Sequence, residues 1–284
     1  MRAWLRNPWA RPRALVVIAV LYILWSILPV AIAVLFAFNN GRSRTTWQGF
    51  SLRWFTGATG SVFHDPELQS ALKHTLVLGV ICVALSVPLG VTLALGLQRW
   101  RGPGGTTVNT LMLLPLVTPE IVMGVALLLL FLQIFPGIGL GTEAQIIGQV
   151  TFTLSYVVVI VRGRLVSIGP EFEEAAADLG APPRERLSRV LLPLLAPAIV
   201  ASAAAAFAIS IDDFVVTQYL SSDASTTTVS MLLYSNARGA PTPALNAIAT
   251  VGLAITLLTL VAAFLVYRRF AGGQEATSLA TMEV

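Results

Sequence analysis

Three carboxylates lie inside or at the edge of long apolar segments of this chain. Glu120 follows two prolines in the segment LPLVTPE, and the adjacent Asp212 and Asp213 end an alanine-rich run. An unpaired charge inside a membrane costs so much free energy that an acid at such a position marks a candidate functional group. We therefore take these three acids as candidate residues of a pathway for a cationic substrate.

Each of these acids also has a purely structural interpretation. The prolines before Glu120 bend a helix, which is tolerated where the bend lines a cavity, but the glutamate could equally pair with an arginine of a neighbouring span or of a partner subunit. Asp212 and Asp213 could draw a cation inward, or could merely cap and solvate a helix end. The small side chains of residues 201–210 predict a surface for close packing between helices.

A second charged group forms a polar island between two apolar segments. Its members are Glu171, Glu173, Glu174, Asp178, Arg184, Glu185, Arg186 and Arg189. Because charged residues are only 11% of the 284 in the chain and hydrophobic ones are 56%, such a stretch must lie outside the bilayer. It is a candidate docking surface. The alternative is a solvated connecting loop without a partner.

The residues of the island predict two short helices separated by a break. Pro170 suits the first turn of a helix, and Gly180 suits a left-handed stop at its end. Pro182 and Pro183 forbid continuation, so a second short helix is predicted after the break, carrying Arg184, Arg186 and Arg189. The first helix would present a small apolar surface beside its acids, formed by Phe172, Ala175, Ala176 and Leu179.

The spacing of the island resembles the cytoplasmic EAA loop of ATP-binding-cassette (ABC) importer permeases. That pattern is E-A-A, three residues, G, nine residues, I, one residue, L-P. Here it is Glu174-Ala175-Ala176, Gly180, Val190 and Leu192-Pro193, with valine replacing another β-branched residue. The resemblance implies a short coupling helix that docks in a groove of an ATPase subunit. The residues expected to couple are Glu171, Glu173, Glu174, Ala175, Ala176, Asp178, Gly180, Val190, Leu192 and Pro193.

Six apolar runs are long enough to cross about 30 Å of hydrocarbon, which takes roughly 20 residues. They lie at 14–38, 72–97, 108–135, 144–163, 194–217 and 246–267. We therefore predict an all-α integral membrane protein of six spans, forming one domain over residues 1–284. The first run is longer than the core of a cleaved signal peptide, so we interpret it as a retained span.

The distribution of basic residues predicts the orientation of these spans. Thirteen of the 18 lysine and arginine residues fall on the side that holds both termini and residues 164–193. By the positive-inside rule that side is cytoplasmic, and residues 39–70 and 218–243 are external. Four aromatic residues of the first external segment, Trp47, Phe50, Trp54 and Phe55, predict a belt at the membrane interface.

Several other classes of function are disfavoured by what the sequence lacks. It has no G-x-x-x-x-G-K-[ST] phosphate loop, so ATP hydrolysis would require another subunit. A metal site is not expected, because Cys82 is the single cysteine and His64 and His74 lie far apart. The dispersed basic residues form no patch for nucleic acid. We also see neither the nucleophile and histidine of an intramembrane enzyme nor the repeats usual in secondary transporters.

Four further segments indicate which subfamily of importer permeases the sequence resembles. The stretches at 49–55, 212–217, 228–235 and 244–250 read GFSLRWF, DDFVVT, TVSMLLYS and ALNAIAT. They resemble the second membrane subunit of spermidine/putrescine importers, although importers for other amines, opines, phosphonates or iron share parts of them.

This second resemblance implies a complete transport system around the chain. The chain would be a permease of the type I ABC importer fold in the bacterial inner membrane, with no catalytic residue or cofactor of its own. Its partners would be a second permease subunit, two ATPase subunits that bind ATP and magnesium, and an external solute-binding protein. Transport would proceed by alternating access.

Overall fold

The structure, a computed structural model, describes residues 13–43, 46–57, 60–100, 102–237 and 242–282. Within these ranges the regular elements are helices, and an isolated bridge joins Asn39 to Phe50. This confirms the all-α prediction. The helices are α1 (Arg13–Ala37), α2 (Arg53–Thr56), α3 (Pro66–Arg99), α4 (Gly105–Val117), α5 (Glu120–Leu129), α6 (Thr142–Ile168), α7 (Glu171–Asp178), α8 (Pro183–Glu185), α9 (Leu192–Asp212), α10 (Val215–Leu220), α11 (Val229–Ala237) and α12 (Pro243–Met282).

Five helical segments of the described chain are long and apolar enough to cross a membrane. They are Leu15–Ala37, Pro66–Arg99, Thr142–Ile168, Pro183–Asp212 and Pro243–Arg269. A sixth crossing is present if α4 and the segment Glu120–Ile134 are counted as one broken span, since they are bent by 110° within the single predicted span 108–135.

The bend between α4 and α5 has a local cause. Pro119 has no N–H to donate, and its ring disfavours a helical conformation at the residue before it. Thr118 accordingly has an extended backbone, with ψ 129°. The two prolines were recognised in the sequence, but the size of the bend depends on the packing of both arms.

The described residues fall into two compact units. One holds the residues up to Asp65 and the stretch that ends at Val251, and the other holds the rest. The prediction of a single domain concerns all 284 residues and stays a prediction.

In the first unit, Asn39 organises the turn that follows α1. Its buried side chain accepts the N–H of Gln48 at 2.7 Å, and its backbone carbonyl accepts the indole N–H of Trp54 at 2.7 Å. Phe38 stacks on Phe50, with ring centroids 5.5 Å apart, and Phe50 is 71% exposed. This cluster contains members of the predicted aromatic belt, whose place in a membrane stays a prediction.

The core of the second unit is formed by α3, α6 and α9, which pack against one another. Small residues permit the close approach: a Cβ atom added at Gly90 of α3 would lie only 2.5 Å from Val157 of α6. On α9, Ala204 and Ala206 are buried in the same way. The prediction that the alanine-rich run is a packing surface is therefore confirmed.

Candidate functional site

Gln145 connects α6 to the segments around α10. The side chain is fully buried, and its Nε2 donates to the backbone carbonyls of Thr217 and Thr226 at 3.0 and 2.9 Å. Its Oε1 lies 2.8 Å from Nε2 of His74. Because the amide nitrogen is the donor to both carbonyls, Oε1 is an acceptor and His74 donates through Nε2.

Gln149, one turn further along α6, contacts the end of α9. Its Oε1 accepts the hydroxyl of Ser210, and its Nε2 donates to the Ser210 carbonyl at 3.2 Å. Nε2 also lies 3.4 Å from the carboxylate of Asp213. Neither glutamine was singled out from the sequence. The sequence signal that could have found them is a pair of amide side chains spaced four residues apart inside the predicted span 144–163.

Asp213 caps the short helix α10. Its two carboxylate oxygens each accept a backbone N–H at 3.1 Å, one from Val216 and one from Thr217. α9 ends at Asp212 and the backbone of Asp213 is extended, with ψ 117°, which lets the side chain turn toward α10. The structure thus gives Asp213 the cap that was one of its two predicted roles.

Asp212 and Glu120 are in different surroundings from Asp213, because both side chains are exposed. Glu120 opens α5, which packs closely on α10: a Cβ added at Gly124 would lie 2.7 Å from the ring of Tyr219. Its carboxylate is close enough to Asp213 for the two charges to interact. Among the arginine and lysine residues that the structure describes, none forms an ion pair with Glu120.

An aromatic pair lies beside the two aspartates. The rings of Phe214 and Tyr234 have centroids 4.2 Å apart, and Tyr234 is 46% exposed. The hydroxyl of Ser230 on α11 donates to the carbonyl of Ile211 on α9 at 2.9 Å, which holds α11 near the aspartates. Ring faces attract organic cations, so the pair complements the nearby carboxylates. Neither ring was assigned a role from the sequence.

α7 follows Pro170 and ends as the sequence predicts. Gly180 has φ +83°, in the left-handed region. The backbone N–H of Gly180 donates to the carbonyl of Ala177, and that of Ala181 donates to the carbonyl of Ala176, both at 2.9 Å. These two hydrogen bonds define a Schellman motif at the end of the helix. Two apolar side chains of this segment face outward, since Phe172 is 54% and Leu179 89% exposed.

A second helix begins at Pro183 after the predicted break, but the prediction that this helix is short is wrong. α8 continues through the π turn Arg186–Leu191 into α9, so that Pro183–Asp212 is one helical segment. Pro193 lacks an N–H, and its ring crowds the carbonyl of Arg189, but the wider π turn just before it accommodates both effects. Val190 lies in this turn, while Leu192 and Pro193 open α9.

Comparison with known proteins identifies the family of this chain. The family model for the binding-protein-dependent transport system inner membrane component matches residues 86–272, more than half of the chain. The chain belongs to this family of ABC importer permeases. It is therefore a multi-pass inner membrane protein of a system that includes a binding protein and an ATPase, and ATP is bound by the ATPase subunit.

Individual relatives of the permease agree in length as well as in sequence. The spermidine/putrescine transport system permease protein PotC of Escherichia coli K12 is 32% identical over 241 residues, covering 85% of this chain and 89% of PotC. The putrescine transport system permease protein PotI of the same strain is 32% identical over 269 residues, covering 93% and 92%.

A solved structure shares the fold. In the crystal structure of a bacterial ABC transporter for the acidic polysaccharide alginate, one chain aligns with a TM-score of 0.72 at 18% identity. The alignment covers 95% of the permease and 99% of that chain.

The capping role of Asp213 predicts a graded loss of stability. Asp213→Asn keeps one acceptor oxygen and Asp213→Ala keeps none, so the unfolding temperature should fall further for alanine, with about 0.5–2 kcal/mol lost. The matched control is Asp212→Ala, which changes the exposed neighbour and should lie within about 0.5 kcal/mol of wild type. Thermal unfolding of the purified permease in detergent is the measurement. Equal effects of the two alanine variants would contradict the assignment.

Proposed function

We propose that the permease imports a polyamine, with spermidine and putrescine as the leading candidates. The observation that carries the proposal is the position of Asp212 and Asp213 next to the Phe214–Tyr234 pair, with Glu120 close enough to Asp213 for their charges to interact. PotC and PotI, which belong to spermidine/putrescine and putrescine transport systems, support the same substrate class. The similarity to the alginate transporter concerns the fold and does not select a substrate.

The chemistry of a polyamine suits these residues. Such a molecule carries ammonium groups separated by methylene chains, so it needs separated anionic partners and apolar or aromatic surface between them. Exposed Glu120 and Asp212 can each pair with an ammonium group, while ring faces of Phe214 and Tyr234 suit both ammonium and methylene. Asp213 contributes its charge while its oxygens hold the start of α10.

Coupling to the ATPase is proposed for α7 and the start of the following helix. The residues are those of the EAA pattern together with Glu171, Glu173 and Asp178. Support comes from the exposed apolar side chains of Phe172 and Leu179, and from the absence of any buried residue in α7. When ATP closes the ATPase dimer, α7 is pushed, and the spans rotate from an inward-open to an outward-open arrangement against a second permease subunit.

The proposed orientation puts residues 164–193 and both termini in the cytoplasm, and 39–70 and 218–243 outside. Its support is the excess of arginine on the first side. Residues 1–12, 283 and 284 lie outside the described residues, so the side of the termini rests on sequence.

Neutralising the exposed acids tests the pathway. Glu120→Gln and Asp212→Asn remove a charge with little change in shape, so polyamine uptake should fall several-fold while the ATPase still copurifies. Glu143→Gln is the matched control, because Glu143 is also an exposed glutamate in the first turn of a helix. The measurement is radiolabelled uptake in a strain that lacks polyamine transport. Full uptake in both variants would show that Glu120 and Asp212 are not needed for transport and would contradict their place in the pathway.

Labelling of single cysteines tests the orientation. Ser188 and Ser225 are both exposed, whereas the native Cys82 is buried, so a difference in labelling reports the side of the membrane. An impermeant maleimide added to intact cells should label Ser225→Cys and leave Ser188→Cys unmodified. Both should react after the cells are opened. Labelling of Ser188→Cys alone in intact cells would invert the proposed topology.

A further inference from the structure

Arg99, the last residue of α3, forms an ion pair with Glu173 of α7. Its Nη2 atom lies 2.6 and 2.9 Å from the two carboxylate oxygens of Glu173. The Glu173 side chain is only 26% exposed, whereas the neighbouring Glu171 and Glu174 are exposed. One acid of the coupling segment is therefore directed into the permease itself.

The other attachments of α7 within the described chain are limited. No residue of α7 is buried, and its main packing partner is the π turn Arg186–Leu191. A cavity of about 500 Å³ lies among α7, the end of α3 and the end of α6. Leu95, Leu165 and Val166 line it together with Arg99 and Glu173. The ion pair thus joins α7 to α3 at the edge of this cavity, whereas the packing of α7 is mainly against the π turn.

α3 extends from this ion pair to the candidate pathway. The hydroxyl of Thr75, near its other end, accepts the backbone N–H of Val229 at 2.9 Å. Val229 is the first residue of α11, which carries Tyr234 of the aromatic pair. From Thr75 to Arg99 the helix covers about 36 Å at about 1.5 Å per residue. A single helix therefore contacts both α7 and the segment beside the acids.

We propose that the Arg99–Glu173 ion pair is the link through which a displacement of α7 reaches α3, and through α3 the candidate pathway. Arg99 is then a positioning residue of transport. The inference rests on the proposed docking of α7 to the ATPase. Exposed ion pairs add little to folding stability, so the loss of this pair should leave the fold intact while it releases α7 from α3.

The test uses the complete complex of permeases, ATPase and binding protein in proteoliposomes. Arg99→Glu and Glu173→Arg, each alone, juxtapose like charges and should lower the ATP hydrolysis stimulated by the binding protein by roughly 2- to 30-fold, the range of such coupling changes. The double variant restores opposite charges and should recover most of the stimulation. Arg99→Lys should remain active, because a single nitrogen makes both contacts in the wild type.

Each outcome bears on the link separately from the docking of α7. Copurification of the ATPase should be unchanged in the Arg99 variants. Normal stimulation in Arg99→Glu would overturn the proposal, and so would a double variant as impaired as the single ones. Failure of the docking itself is detected by Glu174→Arg, which alters an exposed acid: if that variant binds the ATPase and is stimulated normally, the proposed role of α7 fails whatever Arg99 does.

Discussion

Polar groups within the apolar helices of this permease must find partners inside the protein, because hydrocarbon offers none. Gln145 and Gln149 meet this requirement for the ends of α9 and α10, where the backbone leaves regular helix. Their amides bind carbonyls from Ser210, Thr217 and the turn after α10. The irregular segment that carries the candidate pathway is therefore fixed from one face of α6, with α5 packed against it.

This requirement separates the roles of three acids that look equivalent in the sequence. Asp213 is engaged with α10 and Gln149, so it maintains the local fold and contributes charge from a fixed place. The side chains of Asp212 and Glu120 are exposed and do not cap α10. In the proposed pathway they are therefore the acids that pair with an ammonium group of the substrate. In the proposed pathway, Asp213 contributes a fixed charge, and the exposed acids and the aromatic pair would contact the ammonium groups and the apolar chain of the substrate.

The sequence predicts well what depends on neighbouring residues. The membrane-spanning helices follow from the long apolar runs. The end of α7 follows from Gly180, a glycine that can adopt a left-handed backbone. Contacts between distant residues were missed: Arg99 lies 74 residues from Glu173, and His74 lies 71 from Gln145. The helix that begins after Pro182 was expected to be short and separate from the next span, whereas the π turn Arg186–Leu191 joins it to α9 and accommodates Pro193.

ATP-driven uptake of a polyamine by the reconstituted complex tests the central claim most directly. Proteoliposomes would contain the permease, its partner permease and ATPase, with the binding protein outside and ATP enclosed, and would receive radiolabelled putrescine. The account predicts accumulation that requires both ATP and the binding protein. Accumulation without ATP would contradict an ABC importer, and no polyamine uptake alongside uptake of an anion such as a phosphonate would contradict the substrate.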